Sequence, residues 1–246
     1  MQPTESGLAD KPAGPPSLST LIRAQASELT TGFYRYVPGI LGQRLRYSDY
    51  RRKLKRLGRG VVFEEGVHIV NPNWVTIGDR CWIDKDVILL AGPVTPGQRR
   101  SHVRENPHYA GRPGELKIGR GCHVAPFSLI QAHGGVEIGD YITIASGSKI
   151  YSLSHHYRNL EGDDGIVYKF SSRAPASDQY LIAGAVSIAD NAALGLNSVV
   201  LPGATIGKNS WVGANSLVMD DIPPDCIASG TPARVTKHRF QGPGKE

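Results

Sequence analysis

The sequence predicts an all-β fold, a parallel β-helix of about five coils with two loop excursions, preceded by a basic, partly helical segment. Three observations carry this expectation. Apolar residues recur every six positions, small residues follow them in step, and two long stretches break the series before it resumes. Neither the 3.6-residue period of a helix nor the two-residue alternation of a strand gives a strict period of six.

Taken in chain order, residues 1–20 are rich in Pro, Gly and Ser and lack a basic start followed by an apolar stretch. They are expected to form a flexible tail and not a signal peptide. Residues 21–60 hold ten Arg or Lys against Glu28 and Asp49, a net of +8. The whole chain carries +6, so the remainder sums to −2 and the basic excess is local, centred on Arg51, Arg52, Lys53, Lys55 and Arg56. Such a cluster suits a solvated helix face or, with Phe33, Tyr34, Tyr36 and Leu41 beside it, an anionic membrane surface. Nucleic acid is not expected as a partner, because no aromatic–basic interleaving or reading helix follows. No run nears the ~18 apolar residues of a membrane span. Cys81, Cys122 and Cys226 supply neither a C-x-x-C zinc pair nor an even disulfide framework. The cytoplasm is the expected compartment, with the inner face of the membrane as a peripheral site.

The hexad series runs through Ile77, Ile83 and Leu89, then Ile118, Val124 and Ile130, then Ile138, Ile144 and Ile150. It closes with six unbroken members, Ile188, Leu194, Val200, Ile206, Val212 and Val218. Each hexad makes one short strand and one corner; the aliphatic residue points to the axis and the small residue after it lets the backbone turn. Three hexads close one triangular coil, and coils stack at the strand spacing of roughly 4.8 Å. The chain therefore divides into a tail (1–20), a basic segment (21–60), the coil (61–236) and a C-terminal tail (237–246). Two excursions, at about 91–116 and 151–187, carry polar and titratable residues, and long loops on a regular scaffold are where chemistry is sought.

The hexads, with the closing stretch Asp221-Ile222-Pro223-Pro224-Asp225 and Ser229-Gly230-Thr231-Pro232-Ala233-Arg234-Val235, resemble the hexapeptide-repeat acyltransferases, and the end of the chain is similar to that of galactoside and maltose acetyltransferases. The resemblance spans roughly residues 60–236. It implies a left-handed coil, a homotrimer, and acetyl transfer from acetyl-CoA to a saccharide hydroxyl, with acetyl-CoA as co-substrate and no bound cofactor or metal. Such a reaction needs a base for the hydroxyl proton, and neutral histidine suits that task at physiological pH. The family's catalytic histidine falls on His155, just after Ile150 where the second excursion begins; adjacent His156 is the alternative. The family often has a carboxylate touching the acceptor where this chain has His133, in the bulge Gln131–Gly135, and Tyr157 is a further acceptor contact. The acetyl-CoA contacts fall at Gly195, Leu196, Gly213 and Ala214, with Arg234, Lys237 and Arg239 as phosphate partners.

Three other functions fit parts of the sequence. A zinc hydrase on the same coil would need two histidines five residues apart, and no two of the eight are. Transfer to an amine of an amino-sugar nucleotide would use the same base. A non-catalytic trimeric scaffold would not need His155 or the basic C-terminal segment. If residues 33–60 lie on a membrane, the acceptor is a lipid-linked glycan.

Overall fold

In the computed structural model, residues 17–94 and 99–240 are described. Two helices, α1 (Leu18–Arg35) and α2 (Gly39–Lys53), precede the coil. The tail thus gives way to helix at Leu18, and the rest of that tail, residues 1–16, lies outside the described residues, as do 241–246.

The coil is the expected three-faced parallel solenoid, and it is left-handed. Its inward rows are in strict register. Leu57, Ile77, Ile118, Ile138, Ile188 and Ile206 stack on the first face. Phe63, Ile83, Val124, Ile144, Leu194 and Val212 stack on the second. Ile69, Leu89, Ile130, Ile150, Val200 and Val218 stack on the third. All except half-buried Leu57 are buried, so one column of aliphatic residues forms the core. At about 25 cal/mol per Å² this burial dominates the stability, while each short strand contributes little alone.

The structure adds a sixth coil at the N-terminal end, made of Arg56–Leu57, Val62–Phe63 and His68–Val70. The coil therefore begins at Arg56, inside the basic segment. α2 caps it: the Tyr50 ring lies 4.8 Å from Phe63, and its hydroxyl donates to the Val67 carbonyl at 3.0 Å. Arg46 is buried in the same cap and donates to the carbonyls of Phe63 (2.8 Å) and Val37 (2.7 Å). At the other end, Cys226–Gly230 and Ala233–His238 pair antiparallel and close the second face, which shields the last open edge.

Two of the three corners are regular. Between the second and third faces, Gly147, Asn197 and Asn215 take left-handed φ values of 73°, 55° and 56°, which Gly and Asn tolerate best. The corner from the third face to the first is the irregular one, and both excursions leave from it.

Candidate active site

The first excursion joins Ile88–Leu90 to Leu116–Ile118, and the second joins Lys149–Tyr151 to Val186–Ile188, so both spring from the same edge. The bulge holding His133 lies on that edge in the coil between them. There the excursions build a small mixed sheet. Tyr180–Ala183 is central, antiparallel to Leu153–His155 and parallel to Arg100–Val103. Opposed residues in a sheet point to the same side. One face therefore carries His155, Leu181 and Ser101 in one row and Leu153, Ala183 and Val103 in the next. Ser101, Val103, Leu153, Leu181 and Ala183 of this face roof a cavity of about 380 Å³ that His133 and Gly134 also line, while His155, at the end of its row, lies on the same side of the sheet but outside the lining.

Gln179, two residues before Leu181, is fully buried and fixes His155. The Gln179 amide nitrogen donates to the Ala174 carbonyl at 2.5 Å, which orients Oε1 as the acceptor. Oε1 receives Arg99 Nε at 3.1 Å and lies 3.1 Å from His155 Nε2. An amide oxygen cannot donate, so His155 Nε2 carries the proton and Nδ1 carries the lone pair. His133 is fixed in the opposite sense. Its Nδ1 lies 2.8 Å from the Gly92 carbonyl, so Nδ1 donates and Nε2 is the acceptor. Gly134 lets the bulge press close, since a Cβ there would stand 2.3 Å from the Ser152 carbonyl oxygen.

His156 alternates to the other side of the sheet. Its ring lies 4.5 Å from Tyr157 and 6.4 Å from Tyr180, and its Nδ1 is 2.9 Å from the Arg158 carbonyl. Tyr157 is exposed, with the Arg158 guanidinium 5.6 Å from its ring, and is not part of the cavity wall. On the same outer side, Tyr168 donates to Asp164 at 2.5 Å and Arg100 pairs with it at 2.7 Å. The Tyr168 hydrogen bond leads the contacts that hold the Asp164 carboxyl down to about 2. This network braces the long excursion, and a second hollow of about 420 Å³ beside it, outlined by Arg158, Leu160 and Asp164, contains neither His133 nor His155.

Gly195 and Gly213 stack at the corner between the second and third faces. A Cβ on Gly195 would meet the Ala214 nitrogen at 2.5 Å, so the glycine is required by coil stacking itself. Their N–H groups are committed to the ladder, to Val212 and Ala228, each at 2.8 Å. Leu196 and Ala214 are exposed, and among the described residues their N–H groups have no acceptor. The cations do not converge. Arg234 stands 3.6 Å from Asp220, while Arg239 donates to the Asn209 carbonyl at 2.7 Å on another corner. Lys237 is exposed opposite Ile227. Within one chain the third face separates His155 and His133 from the Gly195–Ala214 groove. Among the described residues, no group of three His, Cys, Asp or Glu could hold a metal ion.

Sequence reasoning missed Gln179, Arg99 and the three-stranded sheet. The only signal was the short apolar run Tyr180-Leu181-Ile182-Ala183, which is legible as a strand once its partners are known.

A family model described as the hexapeptide repeat of succinyl-transferase matches residues 185–219. The chain is 27% identical over 175 residues to galactoside O-acetyltransferase of Escherichia coli, covering 71% of this chain and 68% of that protein. It is 28% identical over 185 residues to the dTDP-4-amino-4,6-dideoxy-D-glucose acyltransferase of Escherichia coli, covering 75% and 82%. Among solved structures, the N-acyltransferase AntD of Bacillus cereus, in complex with dTDP and coenzyme A, superposes with a TM-score of 0.63 at 21% identity, covering 79% and 89%. The chain thus carries the hexapeptide repeat on a left-handed β-helix, and its curated relatives are galactoside O-acetyltransferase and other acyltransferases.

Proposed function

We propose that the chain transfers an acetyl group from acetyl-CoA to a hydroxyl of a saccharide, with His155 as the general base. The observation that carries this reading is the side of the loop sheet on which His155 stands, with the roof of the cavity, its tautomer set by buried Gln179. The likeness to galactoside O-acetyltransferase supports a sugar hydroxyl as acceptor.

In the proposed reaction the acceptor hydroxyl donates to His155 Nδ1. As the proton moves to Nδ1, the oxygen attacks the thioester carbonyl and forms the new C–O bond. The tetrahedral intermediate collapses, the C–S bond breaks, and the leaving sulfur takes the proton back from Nδ1. The products are the acetyl ester and free CoA. Gln179 Oε1 holds the Nε2–H throughout and steadies the transient imidazolium, as a carbonyl acceptor does for a working histidine. His133 Nε2 accepts a second hydroxyl of the acceptor. Leu196 and Ala214 offer N–H groups to the pantetheine, and Arg234, Lys237 and Arg239 are phosphate partners. Because the third face parts the two halves, the working site joins His155 of one chain to the groove of a neighbour in a homotrimer.

A second reading, transfer to the amine of an amino sugar, is favoured by the wide coverage of the dTDP-4-amino-4,6-dideoxy-D-glucose acyltransferase. CoA release from acetyl-CoA across a panel of sugars, nucleotide sugars and amino sugars, with wild type and His155→Ala, separates the readings. Release with hydroxyl acceptors that is lost in the variant supports the first. Release with amines alone selects the second, and a fully active His155→Ala refutes the base.

A further inference from the structure

Helix α1 is amphipathic in the unexpected sense. Its polar side faces the protein: Thr31 donates to Asp49 of α2 at 3.1 Å, and Glu28, Thr31 and Arg35 border a hollow shared with Tyr50, Lys53 and His68 of the capped coil. Its apolar stripe, Leu18, Ile22, Leu29, Phe33 and, just past its end, Tyr36, recurs at helical spacing on the side away from those contacts. Ile40 and Leu41, at the start of α2, continue it. Each of these seven side chains is between 60% and 73% exposed. An 18-residue helix with so little packed against it is marginal in water, so the stripe calls for a covering phase.

The charge beside the stripe says which. On α2 the buried face is Gly42, Arg46, Asp49 and Tyr50, and the outer face presents Arg44, Arg51 and Arg52 after the apolar Ile40 and Leu41. These three arginines form no ion pair among the described residues. A symmetric contact with a second copy would set them against their own counterparts. An anionic lipid surface receives both features at once, with the stripe at the acyl boundary and the arginines at the headgroups. No described helix is long and apolar enough to cross a membrane, so the mode is lying on the surface.

We infer that the α1–α2 hairpin is a peripheral anchor that lays the chain on an anionic membrane through Ile22, Leu29, Phe33, Ile40 and Leu41, with Arg44, Arg51 and Arg52 on the phosphates. The anchor is independent of the acceptor and the base proposed above.

The test is flotation of the full chain with phosphatidylcholine vesicles, with or without phosphatidylglycerol. Wild type is expected to float only with the anionic vesicles. Replacing Arg44, Arg51 and Arg52 by Ser is expected to weaken binding by about five-fold per charge. The triple variant Ile22→Glu, Leu29→Glu, Phe33→Glu is expected to stay at the bottom while its circular dichroism, solution mass and acetyl transfer to a soluble acceptor match wild type. Wild type that does not float with anionic vesicles overturns the anchor, as does a stripe variant that floats undiminished. A stripe variant of lower solution mass, with no vesicle binding in wild type, assigns the stripe to a second copy instead.

Discussion

Replacing Gln179 by Leu tests the logic of the candidate site most directly. The substitution keeps the volume of a fully buried side chain and removes three hydrogen bonds, to Arg99, Ala174 and His155. All three partners are half-buried and can partly rehydrate, so the expected loss of stability is ~2–4 kcal/mol, at the low end of the cost of orphaned groups. The imidazole is then free to rotate and to exchange tautomers. Loss of a group that orients a working histidine costs ~10–100-fold, and the fall is expected in kcat with KM for acetyl-CoA unchanged. Gln179→Glu separates orientation from packing. It still accepts from Arg99 and His155 but cannot donate to Ala174, and its charge favours the imidazolium. The base is then protonated to higher pH, so the acid limb of the pH–rate profile moves upward. The assay is CoA release against pH with the best acceptor, beside a thermal melt for each variant. A folded Gln179→Leu with wild-type kcat, while His155→Ala is inactive, would refute the claim that this amide sets the tautomer.

Three further outcomes follow from the geometry. His155→Ala is expected to lose ~10²–10⁴-fold in kcat, whereas His156→Ala, whose ring lies on the outer side of the sheet, keeps wild-type kcat in the same CoA-release assay. Glu115 is buried and receives hydrogen bonds from Lys55 at 2.8 Å and Arg112 at 2.9 Å, which hold its carboxyl from an ordinary 4.5 down to about 2. Such a group contributes stability that is full above its unfolded value and is lost as pH falls through about 2. The shift corresponds to ~3 kcal/mol, and the exposure of Lys55 and Arg112 reduces the expected cost of Glu115→Gln to ~1–2 kcal/mol at neutral pH. Urea midpoints of the two proteins are expected to converge between pH 4.5 and about 2. Gly134→Ala forces a Cβ against the Ser152 carbonyl oxygen and is expected to cost ~1–3 kcal/mol by urea titration, with a raised KM for the acceptor as His133 shifts.

How much of this was legible depends on the range of the interaction. The inward rows could be read because each aliphatic residue sits six from the next, a local regularity that burial imposes directly. The first coil escaped because Leu57 lies within a basic run and Phe63 is aromatic, although 57, 63 and 69 keep the period. The two faces of the loop sheet were invisible, because its strands lie far apart in the chain and their register depends on how the coil places their ends. His155 and His156 are one residue apart in sequence and equal in chemistry; only pairing with Leu181 puts one on the cavity side. The basic segment showed its charge but not that Arg46 serves the cap while Arg44, Arg51 and Arg52 face outward.

The loop sheet has a consequence for how such an enzyme can change. Its strands come from two insertions, yet the central strand of one completes its hydrogen bonding only on the strand of the other. The ladder beneath is indifferent to either, since its bonds run from coil to coil. A chimera that exchanges only one insertion with a relative would leave the central strand facing a foreign edge, and the cavity would lose a wall. The two segments must therefore travel together when acceptor preference is transplanted, as a discontinuous cassette mounted on an unchanged spine.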